Sequence, residues 1–336
     1  SLQEYGESAA LQEEMSYWQD VWQEPLWRVP GWAGGGNQVK QMRTVRQVLS
    51  ADETRALLQD VPGIYHTQIQ EVLLTALAQT LSRWSGAQRV VVEVEGHGRE
   101  ELQRAVDVTR TVGWFTTIYP VVLETRAGAS TGERLKQIKE QVRAIPKHGI
   151  GYGVLRYLKR ALSAGAEGEI SFNYLGQFDQ VLEENGLLGA ATESCGEIHS
   201  GEGRRHYRVE VGASVVGGQL QVSWSYSREQ LEAAEMERVA EWYVEELREI
   251  IRHCADPTAG GYTPSDFALA KLDQRQLDEV VSRYKHVEDI YPMTPMQQGI
   301  LYHILYAPES SLYITQITCT IHDALDINAF ELAWQE

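Results

Sequence analysis

Cysteine is scarce in this chain of 336 residues. Only Cys195, Cys254 and Cys319 occur, far apart and without a Cys-x-x-Cys pair, so neither a disulfide framework nor a zinc knuckle is expected. No Asn-x-Ser/Thr sequon is present, and the pattern fits a reducing, cytosolic (cytoplasmic) setting. No run of about 18 apolar residues exists, so nothing is expected to span a bilayer. Positive charge is also short. Lys and Arg number 30 against 47 Asp and Glu, a formal net charge of −17. Such a surface repels phosphate backbones and anionic lipid, which argues against nucleic-acid and membrane partners. There is no initiator Met and no targeting pattern. The chain ends at Glu336 inside a helical pattern, and both ends are expected to be cuts through a longer polypeptide. None of the nine histidines adjoins another.

What is present suffices for a packed core, with 43% hydrophobic and 23% charged residues and length enough for two domains. Leu11, Met15, Trp18 and Trp22 mark a helix in the first 25 residues. Pro25, Pro30 and Gly34 to Gly36 then form a loop. Thr44 to Leu49 alternates as a strand, and Ser50 with Glu53 is a capping box opening a short helix. A longer helix carries Ile69, Val72, Leu73, Leu77, Leu81 and Trp84. Arg89 to Glu95 reads as a strand, as does Ile118 to Glu124, followed by a helix with Leu135, Ile138, Val142 and Ile145 on one stripe. Ile170 to Tyr174 is a short buried strand, and Gly217-Gly218 turns a hairpin between Tyr207–Ala213 and Leu220–Tyr226. Leu231 to Ile251 is a long amphipathic helix. The class is α/β (α+β) with a mixed sheet flanked by helices. From Asp256 a Pro/Gly-rich stretch reads as a linker, 256–286, holding a short helical segment from Asp273 to Tyr284. Beyond it come a helix (Met296 to Leu305), a strand (Leu312 to Ile321) and a helix from Asn328.

Several stretches carry candidate chemistry. Glu93 to Glu100 packs acids, His97 and Arg99 at the exit of a strand. One reading is a solvated turn with Glu93 and Glu95 on the wet face. The other is a general acid/base carboxylate beside a cleft, where Arg99 can fix a carboxylate and two glycines admit a ligand. Zinc-ligand spacing is absent. Gly128-Ala129-Ser130-Thr131-Gly132 matches Gly-x-Ser-x-Gly, but Ser130 with Glu133 is also a capping box, and the loop is longer than a nucleophile elbow. Gly149 to Gly153 follows a helix rather than a strand, so it fails as a dinucleotide fingerprint. Trp114 and Phe115 read as core, and Asn173 and Tyr174 as hydrogen-bonded structure or as cleft residues.

Taken in order, these stretches resemble the epimerization domain of non-ribosomal peptide synthetases. The matching blocks are Thr67 to Leu77, Glu95-Gly96-His97-Gly98-Arg99-Glu100, Arg110 to Val121, Pro146-x-x-Gly149-x-Gly151-Tyr152-Gly153 and Phe172-Asn173-Tyr174-Leu175-Gly176. From Tyr291, Tyr-Pro-Met-Thr-Pro-Met-Gln-Gln-Gly-Ile-Leu-Tyr-His resembles the opening of a condensation domain. The resemblance implies a chloramphenicol-acetyltransferase-like fold of two lobes with a tunnel between them. Residues 1–255 would be the inter-lobe segment and second lobe, 256–286 the linker, and 287–336 the truncated start of a condensation domain. The family's His-His-x-x-x-Asp-Gly motif belongs to the first lobe and is absent here, so the fragment alone is expected to be inactive.

The implied reaction inverts Cα of an aminoacyl or peptidyl thioester, L to D. That substrate hangs on the 4'-phosphopantetheine of an upstream peptidyl carrier domain, with no cofactor or metal bound directly and a condensation domain downstream in cis. By the resemblance, Glu95 is one catalytic acid/base group. His97 and Arg99 orient it or shape the turn, and Asn173 and Tyr174 line the same cleft. Trp114, Phe115 and Tyr152 are assigned to tunnel walls or packing. Two other readings remain open: a non-catalytic carrier-docking spacer, and a serine hydrolase using Ser130.

Overall fold

The computed structural model describes residues 2–22, 27–30, 35–100, 102, 107–162, 168–177, 196, 198–284, 287–309, 313, 315–322 and 324–335. Pro25, Gly34, Cys195 and Leu312 lie outside them. Two compact units emerge: residues 1–268 with 272–285, and residues 269–271 with 286–336.

In the first unit, α1 (Leu2–Gly6) and α2 (Ala9–Val21) come first, with the Ser8 hydroxyl capping α2 by accepting from the Leu11 N–H. Strand β1 (Met42–Val48) leads into a helical run of α3 (Ala51–Arg55), a π turn and α4 (Val61–Tyr65). The Ser50–Glu53 capping box opens α3 as the sequence indicates. Helix α5 (Ile69–Ser85) closes on Gly86 in the left-handed region and feeds β2 (Arg89–Gly96). Strand β3 (Thr117–Glu124) returns, and α6 (Thr131–Arg143) follows. The glycine-rich stretch after Pro146 is a helical turn, α7 (Ile150–Gly153), continued by a π turn. Then come β4 (Ile170–Gln177), the hairpin β5 (Val209–Val216) and β6 (Gln219–Ser227), α8 (Ala233–Cys254) and α9 (Gln274–Arg283).

The strands form one mixed six-stranded sheet in the order β1-β6-β5-β4-β2-β3. The β2–β4 and β4–β5 pairs are parallel and the others antiparallel. Pro120 sits in β3 at the sheet's edge, where one side of the strand needs no ladder donor. Period-two alternation sends Val90, Val92, Val94, Phe172, Val211 and Trp224 to one buried face. Helix α8 covers it: the Tyr243 ring stands edge-on to Trp224 at 5.8 Å, and its hydroxyl donates to the Leu73 carbonyl of α5. Burying each such side chain stabilises the fold by roughly 1.5–3 kcal/mol.

The expected linker departs from a free tether. Residues 256–268 and α9 belong to the first unit. The reason is a cluster of buried and half-buried ions. The ammonium of Lys139, fully buried on α6, donates to both Asp266 oxygens at 2.7 and 2.6 Å and to the Tyr65 carbonyl at 2.7 Å. Arg143 bridges Asp266 at 3.0 Å and the buried Glu71 at 2.8 Å. A charge removed from water demands such partners, so the turn Pro264–Phe267 is clamped to α5 and α6.

In the second unit, α10 (Pro295–Tyr306) is capped by Thr294 with Gln297, and α11 (Ile327–Gln335) follows. No described residue between 287 and 335 is buried. The strand expected over Leu312–Ile321 does not form among the described residues, and the described residues of the second unit include no other strand for it to pair with.

Candidate active site

The face of the sheet opposite the helix-covered core carries the polar side chains. In β2 the alternation that buries Val92 and Val94 turns Glu93 and Glu95 the other way, and in β4 it turns Asn173 with them. Parallel pairing of Glu93 with Ser171 and Val94 with Phe172 sets β4 beside β2. The Asn173 amide then donates to the Glu95 carboxylate at 2.8 Å. Glu95 is exposed, yet the protein around its carboxyl removes enough water to raise its pKa above the ordinary carboxylate value.

Tyr174 does not share this face. As the next residue in the strand it turns the other way, half-buried against the core, and burial raises its phenol pKa. The reading that put Asn173 and Tyr174 in one cleft is corrected by strand alternation.

Nor does Arg99 reach Glu95 in any contact seen here. Its guanidinium donates to the carbonyls of Val108 and Thr111, with a longer contact to Gly113, and lies 4.3 Å from the Phe115 ring centre. It therefore shapes the loop after β2 rather than gripping a carboxylate. His97 is exposed; its Nδ1 accepts from the Arg99 N–H, and its Nε2 lies 3.3 Å from Glu100. Gly98 is required here, with φ +64° and a Cβ position only 1.7 Å from the Phe115 carbonyl oxygen.

That loop walls a half-open groove of about 650 Å³, lined by Trp114, Phe115, Ile118, Ile150, Val154 and Tyr157 among others. Trp114 is 90% exposed, so the core reading fails for it. Ile118 is the cross-strand partner of Glu95, and side chains so paired lie roughly 4.5–5.5 Å apart. The groove thus reaches the cross-strand neighbour of Glu95, although neither Glu95 nor Asn173 lines it. Tyr152 is not part of it. Its ring is buried 5.2 Å from Trp18, and its hydroxyl accepts from Arg156. Gly149, at φ +83°, leaves room for the Tyr119 ring, which a Cβ would meet at 2.1 Å.

The wet-face reading of Glu93 is overturned. Glu93 is 6% exposed and accepts from the Gly168 N–H at 2.9 Å and the Tyr207 hydroxyl at 2.7 Å. Its partners lie 75 and 114 residues away, so no local signal could have revealed them.

Ser130 is an N-cap. Its N–H and its hydroxyl both donate to Glu133 at 2.8 Å, and these bonds lower the Glu133 pKa, which makes that carboxylate a poor base. Among the described residues no group of three or more His, Cys, Asp or Glu side chains could hold a metal ion, and no helix is long and apolar enough to cross a membrane.

The family profile of the condensation domain matches residues 1–272. A linear gramicidin synthase of Brevibacillus parabrevis is 43% identical over all of this chain, which spans 4% of that protein. Bacitracin synthase 3 of Bacillus licheniformis is 34% identical over 98% of this chain and 5% of its own length. Among solved structures, the epimerization domain from the third module of tyrocidine synthetase B superposes with a TM-score of 0.69 at 36% identity, covering 75% of this chain and 58% of that one. The cyclization-docking bidomain of EpoB from Sorangium cellulosum, at 20% identity and a TM-score of 0.53, shares the fold, covering 77% of this chain and 51% of its own.

Proposed function

The chain belongs to the condensation-domain family of non-ribosomal peptide synthetases, and we propose that within it this chain supplies the carboxylate half of an epimerase centre. The substrate is an aminoacyl or peptidyl thioester on the 4'-phosphopantetheine arm of a preceding carrier domain. Glu95 takes or returns the proton at Cα. The raised pKa of its carboxyl brings it toward the range where one group serves as both acid and base. As the C–H bond breaks, charge moves to the thioester oxygen. Asn173 spends one amide hydrogen on Glu95 and has a second to offer that oxygen. The proton on the opposite face comes from the His-His motif half of the centre, expected upstream. The segment from Tyr291 is then the start of the condensation domain that consumes the D product.

The observation that carries this reading is the Glu95–Asn173 pair beside an apolar groove, in a chain 36% identical to an epimerization domain. The test uses the synthetase that contains this chain, with its preceding carrier loaded with the L-aminoacyl thioester. Chiral analysis of the released amino acid should show the D isomer accumulating. Retention of pure L isomer, with peptide-bond formation intact, would refute the epimerase and favour the carrier-docking spacer.

A further inference from the structure

Glu93 has no task in the reaction just described, yet it is the buried neighbour of Glu95 on the same face of β2. Its carboxylate bridges the segments that begin β4, which neighbours β2, and β5, the strand beyond it. Gly168 lies just before β4 and Tyr207 just before β5. The approach at Gly168 is close enough to require glycine, because a Cβ there would lie 2.6 Å from Glu93 Cγ. Beside this bridge, the Arg208 and Val209 N–H groups both donate to the Glu169 carbonyl at 2.9 and 3.1 Å. The two segments therefore move together.

The β2–β4 ladder needs such support. It has two partner pairs, Glu93 with Ser171 and Val94 with Phe172, and on its other side the pairing of β4 with β5 shifts register after Tyr174. A slip of one residue would send Asn173 to the core face and take its amide away from Glu95. We infer that Glu93 is a positioning residue: with Gly168 and Tyr207 it clamps β4 and β5 to β2 and so holds the Asn173 amide on Glu95. The consequence for catalysis rests on the proposed epimerase; the clamp itself does not. Burial and the bond to Glu93 keep the Tyr207 phenol above the usual tyrosine range, so it remains a donor, and the charged or titratable groups whose field reaches it are Glu93, Glu95 and Tyr157.

The test reads the Glu95 carboxyl directly, by carbon-13 NMR titration of the full chain. Wild type is compared with Tyr207→Phe, Asn173→Ala and the double variant. An amide donated to a carboxylate favours the charged form, so Asn173→Ala should raise the Glu95 pKa by about half a unit. Tyr207→Phe should shift it the same way, and the double variant no further than Asn173→Ala alone. Additive shifts, or a Glu95 titration unmoved in folded Tyr207→Phe, would overturn the clamp. Should Tyr207→Phe fail to fold, Gly168→Ala, which presses a Cβ on Glu93 without changing any charge, is read by the same rule. This readout involves no turnover, so loss of the epimerase reading would leave it standing, and loss of the clamp would leave the epimerase reading standing.

Discussion

Two groups of ionisable side chains in the first unit are built on opposite terms. In the Lys139–Asp266–Arg143–Glu71 cluster Lys139 and Glu71 are buried and the other two partly so, every charge has a partner of opposite sign, and its bonds tie down backbone. The Glu95–Asn173 pair stands on the open face of the sheet, joined by one hydrogen bond to a neutral amide, next to a groove. Compensated charge inside a fold organises structure. A carboxyl partly stripped of water and joined only to a neutral amide has its pKa raised above the ordinary carboxylate value. The second unit offers neither arrangement among its described residues.

The comparison can be broken where its expected effect is largest. Asp266→Asn leaves Lys139 buried without its counter-ion and should cost about 3–5 kcal/mol in urea unfolding, while the Glu95 titration stays put. A loss as small as that of an exposed pair would mean the cluster is not structural. Arg99→Ala should cost about 1–2 kcal/mol and free the 108–115 loop, read as faster amide exchange at Thr111 and Gly113. Unchanged exchange there would mean the guanidinium does not hold the loop.

The pH dependence sharpens the contrast. Burial pushes the Asp266 pKa up, but the bonds from Lys139 and the Thr263 N–H, with the charge of Arg143, outweigh it and hold the pKa down. Its stabilisation is present above the unfolded value and lost as pH falls through the folded one. Glu95 has the opposite sign. Its folded pKa is raised, so its contribution declines as pH rises from the unfolded value to the folded one. Asp266→Asn should flatten the acid limb of the stability profile, and Glu95→Gln should remove the small decline above it; identical profiles in both variants would erase the distinction. The smallest effect is Ser130→Ala, about 1 kcal/mol for a lost N-cap. A fluorophosphonate probe should leave Ser130 unlabelled, and labelling would revive the hydrolase reading.

Much of the fold was legible because its signals are local. The capping boxes at Ser50 and Ser130 need four residues each, and the β5–β6 hairpin shows itself in two glycines between alternating runs. The site was legible differently. Glu95 and Asn173 are 78 residues apart, and nothing in composition or spacing brings them together; the resemblance named both. Alternation within β4 should have separated Tyr174 from Asn173, but reading the block as a unit hid it. The burial of Glu93 and the anchoring of Asp266 depend on partners distant in sequence, which no local pattern shows.

The central claim is that Glu95 moves the α-hydrogen. In deuterium oxide, the loaded synthetase containing this chain should wash deuterium into Cα of the carrier-bound residue, as seen by mass spectrometry. Glu95→Gln should cut that incorporation by about a thousandfold while leaving the protein folded at the assay pH. Incorporation at the wild-type rate in the folded variant would contradict the account.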